Sequence, residues 1–136
     1  MEFSKARAAA SRRLEPLRSI DAGVLNISYH EDGPSDGPVV VLLHGFPYDI
    51  HSYVDVAPML AAKGCRVIVP YVRGYGATRF LDSKTPRSGE QAAVGADLLA
   101  LSTRLASSAR FLPAMIGAAA RPVSAPRYGP IGARAS

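Results

Sequence analysis

Pro38-Val39-Val40-Val41-Leu42-Leu43-His44-Gly45-Phe46-Pro47 is the stretch on which the fold turns. Its first half is an apolar run with three adjacent β-branched residues and no polar alternation, the pattern of a strand covered on both faces. The run stops at His44. Gly45 accepts backbone angles that other residues resist, while Pro47 fixes its own φ and lacks an N–H. A buried strand that breaks into a Gly/Pro loop is how open α/β sheets present backbone N–H groups at a ligand crevice.

Working outward, a helical pattern runs from 52 to 63, with Val56, Met59 and Leu60 in one apolar stripe and Gly64 placed to end it. Cys65 to Val69 is a second strand, closed by Pro70, so strand, helix and strand make a βαβ unit. Arg73-Gly74-Tyr75-Gly76 then forms a glycine-punctuated loop. Ser88 and Gln91 have capping-box spacing for a helix over 89–101 that places Val94, Leu98 and Leu101 on one face. Upstream, Val24 to Tyr29 alternates as a half-buried edge strand, and the turn formers Glu31 to Gly37 lead into Val39–Leu43 beside it. The expected class is α/β, with strands near 24–29, 39–43 and 65–69 and helices near 52–63 and 89–101.

The strand with HGFP (His44 to Pro47) and the later RGYGAT (Arg73 to Thr78), in this order, resembles the α/β-hydrolases, and among them the epoxide hydrolases and haloalkane dehalogenases. The resemblance covers roughly residues 20–101, the N-terminal part of such a fold. It implies that His44, Gly45, Phe46 and Pro47 form the oxyanion-side loop, with the Phe46 N–H pointing into the active site and the Phe46–Pro47 bond often cis. It implies a parent enzyme that attacks a carbon of a small-molecule substrate with an Asp carboxylate, the ester then being cleaved by a His-activated water. No such nucleophile elbow follows Leu101. His30, His44 and His51 all precede the place of the family's catalytic His, so the chain as given is expected to be inactive.

Charge divides the chain into three. Residues 1–19 carry five basic and two acidic side chains, residues 20–101 six and nine, and residues 102–136 five Arg and no acid. The body is mildly acidic, which argues against a specific nucleic-acid-binding core. The first segment reads as an arm, a frayed surface helix with Leu14 and Leu17 as its apolar pair. The last is built of Ala, Arg, Ser, Pro and Gly with few apolar residues and is expected to be disordered. Cys65 excludes an intramolecular disulfide and a Cys-based metal cluster, and at the start of a strand it reads as a buried, inert thiol. No apolar run approaches a membrane span and no signal-peptide core follows Arg12-Arg13, so the expected address is cytoplasmic.

The tail composition is also what a GC-rich gene yields when read out of frame. Joining the third base of each codon to the first two of the next, Met115-Ile116 forces GAT, an aspartate, and Arg110-Phe111 forces an apolar residue. The surrounding codons permit Val-Leu-Ala-Gly-Tyr-Asp-Trp-Gly-Gly, which resembles the strand and elbow of the epoxide hydrolases. The expectation is a frameshifted or truncated chain whose strand Val39–Leu43 lacks its neighbour and self-associates through the exposed edge.

Among the remaining candidates, His44 reads as a structural tether, since a base needs an acid partner and a nucleophile in reach. Arg73, Tyr75 and Arg79 admit an anion-binding reading, but surface arginines on a scaffold loop are the favoured one. Asp49, Asp55 and Asp97 read as loop or helix-surface charges, and His44 with Asp49 makes no metal site. No cofactor is expected. The alternative function is a small non-enzymatic protein whose basic ends bind an acidic partner or nucleic acid.

Overall fold

The computed structural model describes residues 13–106 and the backbone of 114–117. Strands β1 (Leu17–Ala22), β2 (Leu25–Asp32), β3 (Val39–Leu43), β4 (Arg66–Pro70), β5 (Arg79–Phe80) and β6 (Ala114–Gly117) form one sheet. Helices α1 (Val56–Ala62) and α2 (Gln91–Leu105) and a 3₁₀ turn, Ile50–Tyr53, accompany it. The order is β1-β2-β4-β3-β6, with β5 on β2. None of the described helices is long and apolar enough to cross a membrane.

All five residues of β3 are buried. Val39, Val41 and Leu43 face a cluster with Leu98, Leu101 and Leu105 of α2. Val40 and Leu42 face the opposite cluster with Ile50 and Ala57. A helix on each side is the reason an uninterrupted apolar strand is stable here, each large side chain contributing about 1.5–3 kcal/mol on full burial. The unit β3-α1-β4 is parallel, Val40 lying opposite Val67 and Val41 opposite Ile68. Both strands therefore release their following loops at the same end of the sheet.

Several expectations are corrected. The strand expected at 24–29 is not an edge: β1 pairs antiparallel along one side of β2, so β5 and β4 share the other. Nor does β2 adjoin β3, because β4 lies between them. Polar His30, Glu31 and Asp32 extend β2 beyond Tyr29, and Glu31 is fixed there by Arg66 at 2.6 Å and Arg18 at 3.0 Å. Leu14 of the supposed arm is buried, and β1 starts before residue 20. The helix expected over 52–63 divides into the 3₁₀ turn, capped by Asp49, and α1.

The second helix starts at Gln91 and continues to Leu105, past the point where the composition changes. Glu90, not Ser88, is its N-cap, while the Ser88 hydroxyl accepts the Glu90 N–H at 3.2 Å. Cys65 is half-buried against the second cluster. Finally, β3 is not left with an open edge: β6 pairs parallel to it, Val41 opposite Met115 and Leu43 opposite Gly117. The disorder expected for the rest of the tail falls on residues outside those described.

Candidate active-site cleft

His44 follows the last residue of β3 and is almost fully buried, at 2% exposure. Its Nε2 accepts the Val72 N–H at 3.0 Å, 28 residues away in the loop after β4. An accepting Nε2 places the proton of the neutral ring on Nδ1, which is buried without a hydrogen-bond partner. Burial pushes the imidazole below its usual 6.5, opposed by Asp49 and the backbone of Gly45 and Tyr48. The ring stands edge-on to Tyr75, at 4.7 Å between centroids, and to Tyr71 at 6.1 Å. It is a tether between two loops, as its burial in a neutral state requires.

The loop after His44 turns back at once. Phe46–Pro47 is cis, and the Tyr48 N–H donates to Gly45 O at 2.8 Å, closing a turn with proline at its third position. Tyr53 Oη donates to Leu43 O at 2.6 Å and holds the strand end from the other side. Phe46 is 88% exposed, and its backbone N–H donates to no described acceptor. Beside it lies a cleft of about 380 Å³ lined by His44, Phe46, Val72, Arg73, Tyr75 and Val94, within the usual range for small-molecule sites.

The opposite wall is the RGYGAT loop, and its arginine corrects the surface reading. Arg73 and Asp97 have side-chain exposures of only 9% and 12%. Arg73 Nε and Nη2 donate to the two Asp97 oxygens at 2.7 and 2.6 Å, and Nη1 donates to Ser88 O at 2.8 Å. Hydrogen bonding to Asp97 raises the guanidinium pKa further. Thr78 closes the loop, its hydroxyl accepting the Ser28 N–H at 3.0 Å and donating to Tyr71 O at 2.9 Å. Gly76 has φ +53°, and a Cβ there would meet the Tyr71 ring at 2.6 Å, so this glycine is required on two counts.

The structure thus joins His44, Phe46, Arg73 and Tyr75 at one cleft, while Arg79 lies outside it and shares a neighbouring cleft with Arg73. Asp49 is engaged in capping, accepting the His51 N–H at 2.8 Å and contacting His51 Nδ1 at 3.0 Å. The described residues contain no His/Cys/Asp/Glu group arranged for a metal ion. Sequence reasoning missed the role of Asp97, yet a signal was present: a carboxylate inside the stripe Val94, Leu98, Leu101 needs a buried partner. The Val72 and Tyr53 contacts had no local signature. Chemically, the cleft offers a backbone donor and an apolar floor, and no nucleophile among the described residues.

Residues 38–109 match the family model of the alpha/beta hydrolase fold. A haloalkane dehalogenase of Mycobacterium marinum is 45% identical over 60 residues, covering 44% of this chain and 20% of the relative. The magnesium-chelatase 30 kDa subunit of Rhodobacter capsulatus is 44% identical over 72 residues, covering 53% and 22%. A crystal structure from Klebsiella pneumoniae, assigned as an epoxide hydrolase, superposes with a TM-score of 0.68 at 55% identity, covering 70% of this chain and 32% of that one. The chain therefore spans about a fifth to a third of the length of these relatives. With the model matching more than half of its residues, on the strand and loops that build the cleft, the chain belongs to the alpha/beta hydrolase fold family.

Proposed function

We propose that the chain is the N-terminal part of an epoxide-hydrolase-type enzyme acting on a small-molecule substrate. In the parent reaction an aspartate carboxylate attacks carbon, the carbon–oxygen or carbon–halogen bond breaks, and water cleaves the resulting ester. The observation that supports this most is the Phe46 N–H, free of any described acceptor at the rim of a cleft of about 380 Å³. It would serve as one of two donors to the developing oxyanion, a donor worth about 3 kcal/mol in a complete site. The similarity to a haloalkane dehalogenase and an epoxide hydrolase points the same way.

In this reading the chain is inactive, because no elbow aspartate follows Leu101 in this frame and its three histidines precede the place of the base. The codons of Met115-Ile116 supply the carboxylate in the neighbouring frame. Further support is that β6, made from these same codons, lies on the outer flank of β3 where the elbow strand is expected. Reading the coding DNA from codon 101 to 120 tests the idea. An apolar strand followed by Gly-x-Asp-Trp-Gly-Gly is expected, and the frame-restored protein should hydrolyse an aryl epoxide that the chain as given leaves untouched. Stops or unrelated residues in the shifted frame would refute it.

The same reading has an uncharged strand, Ala114–Gly117, outermost among the described strands, and so self-association through that edge. Light scattering after size exclusion should show a mass that rises with concentration. A monomer throughout would contradict it.

A further inference from the structure

A second cleft, of about 390 Å³, lies on the far side of Arg73 and Gly89 from the first. Its wall includes Arg73, Arg79, Phe80, Arg87, Ser88 and Gly89, and among the described residues no carboxylate. Arg73 is neutralised by Asp97. Arg79 and Arg87 are exposed and make no ion pair or side-chain hydrogen bond among the described residues. Arg87 is nonetheless placed: its guanidinium lies 4.2 Å from the Phe80 ring centroid, with Arg73 at 5.3 Å from the same ring. The negative ring face offsets the repulsion of two cations brought together, leaving the Arg87 fork free for a ligand.

The other polar groups of the wall have the same character. Ser88 O is occupied by Arg73, and Ser88 Oγ already accepts the Glu90 N–H, so the hydroxyl has its proton to give. Gly89 N–H donates to no described acceptor. The Thr78 hydroxyl is engaged as both donor and acceptor. What is left is two guanidinium forks, one hydroxyl proton and one amide proton: a wall of donors. Planar guanidinium forks match carboxylate and phosphate oxygens, and a cleft lined by one sign of charge concentrates its counter-ion.

We propose that this second cleft binds the oxyanion group, carboxylate or phosphate, of a small molecule through Arg79 and Arg87. The site is distinct from the Phe46 cleft and does not depend on the hydrolase reading. Fluorine NMR titration of the full chain with 4-fluorobenzoate at low ionic strength tests it, with neutral 4-fluorobenzyl alcohol as the isostere and inorganic phosphate as competitor. Saturable binding of the benzoate with a Kd of about 1 mM is expected, displaced by phosphate and absent for the alcohol. The Arg79→Gln/Arg87→Gln variant should bind at least about tenfold more weakly. The charge-matched control Lys63→Gln/Arg104→Gln, exposed positions on other elements, should bind as the parent does. Both site arginines are exposed and make no ion pair among the described residues, so circular dichroism of the variant should be unchanged. Equal binding of the alcohol, equal weakening in the control, or no saturable binding would overturn the proposal.

Discussion

Replacing Asp97 by alanine should cost more stability than any surface substitution in this chain. A solvent-exposed ion pair contributes about 0–1 kcal/mol. Truncating one partner of a buried pair costs about 3–5 kcal/mol, because the other charge is left without compensation. The pair with Arg73 belongs near the lower end of the second range. Its side chains are 9% and 12% exposed and joined by two hydrogen bonds, but Arg73 also borders both clefts, so water can reach a stranded guanidinium. The expected loss is about 3 kcal/mol.

Urea unfolding followed by far-ultraviolet circular dichroism measures it. With a slope of about 1–1.5 kcal/mol/M for a domain of this size, the midpoint of Asp97→Ala should fall by roughly 2–3 M. The informative partner is Arg73→Met/Asp97→Leu, in which both charges are replaced by apolar groups of similar length. It should lose about 1 kcal/mol or less, since desolvation of the pair cancels much of its attraction. The residual loss comes from Ser88 O, which gives up the Arg73 donor. A loss below about 1 kcal/mol in Asp97→Ala would mean that the pair behaves as a solvated one. A double variant as unstable as the single would assign the cost to packing instead of charge.

Burial holds His30 and His44 below the usual 6.5; the unfolded chain then binds protons more tightly than the folded one, so stability should be intact above about pH 6.5 and fall as pH drops through the folded values. The urea midpoint at successive pH values checks this, and His44→Gln should flatten the fall. Gly76→Ala, at φ +53° with its new Cβ 2.6 Å from the Tyr71 ring, should destabilise by about 2 kcal/mol in the same assay. Leu42→Ala, at 0% exposure in the middle of β3, should cost about 3–4 kcal/mol by opening a cavity.

What could be read from the sequence followed from burial. The strand Val39–Leu43 stands out because covering both faces removes every polar residue. By contrast β1, LRSIDA, is mostly exposed, with Leu17 at 42%, and has no apolar alternation; only its pairing with β2 makes it a strand. At Glu31-Asp32-Gly33 local turn chemistry is overridden by two arginines distant in sequence, which keep Glu31 in the sheet. Ser88 has the spacing of a cap and loses the role, because Arg73 captures its carbonyl and the helix starts at Gln91. The end of α2 was misplaced by composition, while the stripe itself continued through Leu98, Leu101 and Leu105.

The two motifs behind the resemblance are, physically, one constraint. His44 of the first accepts the backbone N–H of Val72 and packs its ring on Tyr75 of the second. Arg73 in turn anchors the second to α2 through Asp97. A change in either loop is therefore felt in the other, and residues far apart in sequence must be retained together. The consequence for function is that, among the described residues, the side-chain and turn hydrogen bonds holding the turn with the Phe46 N–H come from residues between Leu43 and Asp97. If a reacting carboxylate is restored downstream, it meets a donor that is already placed. Under the proposed reading, restoring the frame should create turnover without altering protection of the Val72 amide against hydrogen exchange. A gain in that protection would show that the loop had not been set before.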